Sequence, residues 1–196
     1  MGLRFRQIIG GVAPARRAGV SPTVVMLAGQ ITPGSAARTV QEIERAKGDI
    51  DVMIDSNGGT FGHALEIGAA LQRHTGKTTA YALKVESSAV IVMAACGRVV
   101  MARDASILLH AASYHDPDGV TLNGMDEAAD SLRRCQRMIA DICAGRSKST
   151  PSTFWTHLMA ANGGQGTRLS PEDCVSYGLA DSVSVWPKAY LLRGER

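Results

Sequence analysis

Apolar and polar positions along the chain alternate between two periods. VVMLAGQI (24–31), DIDVMIDS (49–56) and TTAYALKV (78–85) are short runs dense in β-branched and apolar residues, the pattern of buried strands. Helical spacing fills the gaps. SAARTVQEIERAKG (35–48) sets Ala36, Val40, Ile43 and Ala46 on one face, after the turn TPGSA. HALEIGAALQRH (63–74) does the same with Leu65, Ile67, Ala70 and Leu71, after the tight turn NGG. AVIVMAACG (89–97) reads as a third helix. RVVMARDASILLHAA (98–112) reads as two short strands broken at Arg103-Asp104. A long amphipathic helix is predicted from about Asn123 to Ala144, and another in STPSTFWTHLMAA (149–161), with Pro151 near its first turn. LSPEDCVSYGLADSVSVW (169–186) reads as a short helix, a closing glycine and a last strand.

Strand and helix in alternation predict an α/β protein with a largely parallel sheet. The 196 residues suffice for one domain with its own core. Residues 1–22, rich in Gly, Pro and Arg, are expected to form an irregular arm, 23–188 the domain and 189–196 a tail. A net charge of +3 gives no argument for nucleic acid, and the arginines near the start read as a solvated basic end. No apolar run is long enough for a membrane span, and the first residues lack the apolar stretch of a secretory signal. Cys96, Cys135, Cys143 and Cys174 form no CxxC and no Cys/His metal spacing. They read as free thiols of a cytoplasmic protein. No cofactor or metal is expected.

The chemistry concentrates at strand ends. In DSNGGTFGHA (55–64), Gly58-Gly59 follows a strand and precedes a helix. Paired glycines there let the backbone turn sharply and aim N–H groups at a phosphate or an oxyanion, or simply make the turn. The stretch is neither a Walker loop nor a dinucleotide fingerprint. In KVESSAVIVMAACG (84–97), Ser87 and Ser88 stand where a strand gives way to a helix. A serine there is a helix cap by default. It is also well placed to be a nucleophile, since the helix N-terminus favours negative charge. His110, closing the apolar strand ILLH, is a candidate general base or a structural histidine. His63, His74, His115 and His157 form no H-x-x-x-H pair.

Taken in order, VVMLAGQI, IDSNGGTFGHALEI, the serine junction, ILLH and LSPEDCVSYGLADSV resemble the Clp protease proteolytic-subunit family. The resemblance covers about 24–183. IDSNGG is similar to the family's I-N-S-P-G-G turn, with Asn57 where proline is usual. LSPEDCVSYGLADSV is similar to its L-S-x-x-E-A-x-x-Y-G-L-x-D-x-[IV] ending. The resemblance implies a crotonase-like fold of stacked β-β-α units with outer helices and a protruding handle helix around 123–144. It implies a serine endopeptidase that cleaves unfolded peptides inside a homo-oligomeric ring. A separate unfoldase ATPase would be the partner, because this chain has no Walker motif. It assigns His110 as general base and the Gly59 N–H as half of an oxyanion hole.

Two registers place the nucleophile. Counting from Gly59 favours Ser88; counting back from ILLH favours Ser87. Close helix packing prefers Ser87, because the two residues after it, Ser88 and Ala89, are small, and Ser88 N–H would then complete the oxyanion hole. Lys84-Val85-Glu86 replaces the family's glycine and alanines, so a carboxylate stands next to the nucleophile. Lys84 itself, as in a Ser-Lys dyad, reads better as a solvated side chain. The family's third triad member, an aspartate four residues before the motif serine, is Gly166 here, and Asp173 falls beyond that serine. Asp116 or Asp118 is the substitute to look for. Two alternatives follow: a weak or silent ring subunit, and a crotonase-type acyl-CoA enzyme.

Overall fold

The structure, a computed structural model, describes residues 21–113, 122–159 and 165–185. Strand and helix alternate as β1 (Thr23–Ile31), α1 (Pro33–Arg45), β2 (Ile50–Gly59), α2 (Phe61–Arg73), β3 (Thr78–Glu86), α3 (Ala89–Ala95) and β4 (Arg98–Leu109). There follow α4 (Leu122–Arg146), α5 (Pro151–Met159), β5 (Thr167–Leu169), α6 (Pro171–Tyr177) and β6 (Ser182–Ser184). The expected tail at 189–196 and most of the arm at 1–22 lie outside the described residues.

The six-stranded sheet has the order β1-β2-β3-β4-β5, with β6 also on β4. Among the described residues β1 to β4 and β6 run parallel, and β5 is antiparallel. Near-continuous apolar runs suit such strands because helices and neighbouring layers cover both faces. Val25, Leu27, Val52, Ile54, Ala80, Ala82 and Val99 are all buried.

The expected break at Arg103-Asp104 is instead a corner within one continuous strand. Ala82 pairs with Met101 and Lys84 with Ser106, so residues 102–105 stand opposite the single residue Leu83. β2 skips Leu83 as well, pairing Ile54 with Ala82 and Asp55 with Lys84. Extra residues in one strand bend and twist the sheet. Before the corner β4 holds β6, through Val100 to Ala102; after it β4 holds β5, through Ile107 to Leu109. The strand ends that carry the candidate residues all belong to the second half.

NGG is likewise not a free turn. β2 continues to Gly59, which pairs with Ile31, and the register slips past Asn57. The buried Ser56 hydroxyl organises this bulge: Oγ donates to Gly29 O at 2.6 Å and accepts from Gly58 N–H at 3.1 Å.

Local chemistry sets the helix ends. Thr32 caps α1 in a reciprocal box with Ser35, just before Pro33. The helix ends at Arg45, earlier than periodicity suggests. Ser170 and Asp173 make the same box on α6, and Gly178 closes it at φ 81°. α3 is buried from Ala89 through Met93 and forms the centre of the core. α4 is divided in character. Ile139, Ala140, Ile142 and Cys143 are buried, whereas Met125 to Glu127 near its start are exposed, as a helix standing off the body requires. Its last residue, Arg146, is fixed by donating to Cys96 O at 2.7 Å, to Leu179 O at 2.8 Å and to Asp181.

Candidate active site

The C-terminal ends of β2, β3 and β4 bring Gly59, Ser87, Ser88 and His110 into one neighbourhood. β3 pairs Glu86 with Leu108, and one step on Ser87 N–H donates to Leu108 O at 3.0 Å. His110 follows Leu109 directly, at the end of the neighbouring strand.

The two serines differ sharply. Ser87 is half-buried and is the one described non-glycine residue with positive φ, at 56°. Left-handed backbone is disfavoured for a side chain bearing Cβ and is found where surrounding structure enforces it. A strained strand-to-helix elbow of this kind is a place where a hydroxyl such as that of Ser87 can serve as nucleophile. Among the described residues no hydrogen bond engages that hydroxyl. Ser88 is buried, and its hydroxyl is used twice by one partner: Oγ accepts from Gly59 N–H and donates to Gly59 O, each at 3.0 Å.

Neither serine is a side-chain helix cap. Ser88 occupies the N-cap position of α3, but with helical backbone angles and no cap hydrogen bond from its side chain. Its hydroxyl instead ties α3 to the double-glycine turn. The Gly59 N–H, expected to be open to an oxyanion, is held in this geometry by Ser88 Oγ. Ser88 N–H has no acceptor among the described residues.

Both glycines are required by close approach. A Cβ on Gly58 would fall 2.5 Å from Glu86 O and 2.7 Å from Ser87 Cβ; one on Gly59 would fall 2.3 Å from Ile31 O. Their φ angles, 81° and 150°, are also ones that side-chain-bearing residues avoid.

Glu86, next to the serines, is not a free negative charge. Its carboxylate meets Arg168 at 3.1 Å and Lys84 at 3.7 Å, while Arg168 also donates to Ser106 Oγ at 2.8 Å. Lys84 is thereby an ion-pair partner of Glu86. Asp173 serves the α6 cap, where the Ser170 N–H and hydroxyl hold its carboxyl below the usual range.

Gly166 stands beside His110. A Cβ there would lie 2.0 Å from Leu109 O and 2.5 Å from His110 Cα and Cβ. His110 Nδ1 lies 2.7 Å from Ala111 O. Asp116 and Asp118, the substitutes sought in the sequence, fall outside the described residues, as does His115. His63 pairs with Glu66 at 3.0 Å, and His74 binds Gly48 O at 2.6 Å. His157 packs on Tyr177, ring centroids 5.2 Å apart. Among the described residues no group of His, Cys, Asp and Glu is arranged to hold a metal, and no helix is long and apolar enough to cross a membrane.

A kinked, mostly parallel sheet with outer helices and one long helix standing off the body defines a ClpP-like crotonase fold. The chain belongs to the Clp protease family: the model described as Clp protease matches residues 20–186. Among solved structures, a point mutant of ClpP1 from Listeria monocytogenes is similar, with a TM-score of 0.71 at 13% sequence identity. The match covers 84% of this chain and 92% of that one, and at this identity it speaks for the fold. No curated protein matches.

Proposed function

We propose that the chain is a cytoplasmic serine-type endopeptidase that cleaves unfolded peptides within a homo-oligomeric ring fed by an unfoldase ATPase. Ser87 Oγ attacks the peptide carbonyl carbon as its proton passes to His110 Nε2. The same proton then goes to the departing amine, and water hydrolyses the acyl-serine. Ser88 N–H holds one side of the oxyanion. Gly59 N–H holds the other once the oxyanion displaces Ser88 Oγ from it. The positive φ of Ser87 carries this reading, because it distinguishes that serine from its buried neighbour.

A second reading, a silent ring subunit, is favoured by Gly166. The position that bears a carboxylate in the family has no side chain here and no room for one.

The test is intact-mass detection of a fluorophosphonate adduct on wild type, Ser87→Ala and Ser88→Ala. One adduct lost only in Ser87→Ala supports the first reading. Loss only in Ser88→Ala moves the nucleophile to the buried serine. No adduct on the assembled wild type selects the silent subunit.

A further inference from the structure

We infer that the main-chain carbonyl of Ala111 takes the orienting place that a carboxylate would hold beside His110. The inference rests on the reading of His110 as general base. A carbonyl oxygen only accepts, so the 2.7 Å contact between His110 Nδ1 and Ala111 O requires the proton on Nδ1. A neutral imidazole has one N–H. With that proton on Nδ1, Nε2 carries the lone pair, the tautomer that can take a proton from a serine hydroxyl.

The contact already occupies the one donor on that side of the ring. Nδ1–H is already given to Ala111 O, so a second acceptor at that nitrogen would have to share its single proton. Gly166 cannot supply one, since even a Cβ there overlaps Leu109 O and His110. The close seating of Gly166 against Leu109 and His110 walls that side with backbone.

A carbonyl does half of a carboxylate's work. It fixes the ring and its tautomer, but it carries no full negative charge to stabilise the imidazolium that forms when Ser87 gives up its proton. Ala111 is thus a positioning residue acting through its main chain. The chemistry is expected to be slower than that of a full triad and to require no carboxylate.

The experiment reads the tautomer directly. Nitrogen NMR of the assembled protein, labelled in histidine and assigned with His110→Gln, is expected to show His110 protonated at Nδ1 and bare at Nε2 at neutral pH. In parallel, Nδ1-methylhistidine replaces His110, keeping a basic Nε2 while removing the donor. Its fluorophosphonate labelling rate is expected to fall at least tenfold. An Nε2–H tautomer, or labelling of the methylated protein at the wild-type rate, would overturn the inference. An Nδ1–H tautomer in a protein that no fluorophosphonate labels would uphold the orientation and sink the peptidase reading, so the two failures are separable.

Discussion

Gly166 and His110 are in such close register that no side chain fits between them: a Cβ on Gly166 would fall 2.5 Å from the Cβ of His110. The backbone at Gly166 also has φ 85°, which suits glycine alone. Gly166→Asp, the obvious attempt to install the family's third triad member, is therefore expected to fail. Overlap with Leu109 O and left-handed strain together cost about 2–4 kcal/mol. Urea denaturation should show the loss, and fluorophosphonate labelling should not rise.

Ser87 and Ser88 should separate in stability as well as in labelling. Ser88→Ala leaves the Gly59 N–H and carbonyl without their shared hydroxyl and is expected to cost about 1–3 kcal/mol. Ser87→Gly relieves the positive φ and is expected to be more stable than Ser87→Ala by about 1 kcal/mol. Chemical denaturation of the three variants checks both.

Arg146 ties the end of α4 to the end of α3 and to the loop between α6 and β6. Its guanidinium is nearly buried and gives hydrogen bonds to Cys96 O, Leu179 O and Asp181. Arg146→Met takes the guanidinium from Cys96 O and Leu179 O and leaves Asp181 only the Val99 N–H, at a cost of about 2–3 kcal/mol. Asp181→Asn should cost less, because that carboxylate is half exposed and Val99 N–H can still bond the amide oxygen. Melting temperatures of the two variants give the order.

Burial pushes the thiols of Cys96, Cys143 and Cys174 up from 9.0 to about 12. In the unfolded chain they ionise near their ordinary value. Between about pH 9 and 12 the unfolded state thus binds fewer protons than the folded one. Stability is expected to fall as pH rises through that window, with no contribution from these groups below it. Urea midpoints at pH 8 and pH 10.5 test the sign. At pH 8 an alkylating reagent should modify the half-buried Cys135 first and reach the other three only on unfolding.

Most of the architecture was legible because strands and helices differ in period, and their alternation predicts a parallel sheet. What failed was local. Arg103-Asp104 looks like a strand end because charges interrupt an apolar run, yet the residues opposite Leu83 form a corner that keeps one strand whole. β5 escaped notice because TRL is three residues long with an arginine at its centre. The serine junction was legible, but the difference between the serines was not. Positive φ at Ser87 and the double use of the Ser88 hydroxyl occur where the junction meets Gly58 and Gly59, which lie far off in sequence. The carbonyl beside His110 was invisible for another reason: every residue has one, and only geometry decides which is used.

Among the described residues β5 is the outer strand on its side of the sheet and grips β4 through three residues, Thr167–Leu169 against Ile107–Leu109. So short an edge pairing opens at lower free energy than the interior strands. Opening would lift Gly166 from His110 and part Arg168 from Glu86 while β3 and β4 stayed paired. Amide exchange at 167–169 should therefore run ahead of exchange at 80–82, and the wall beside the histidine would be a door on a separate clock from global unfolding.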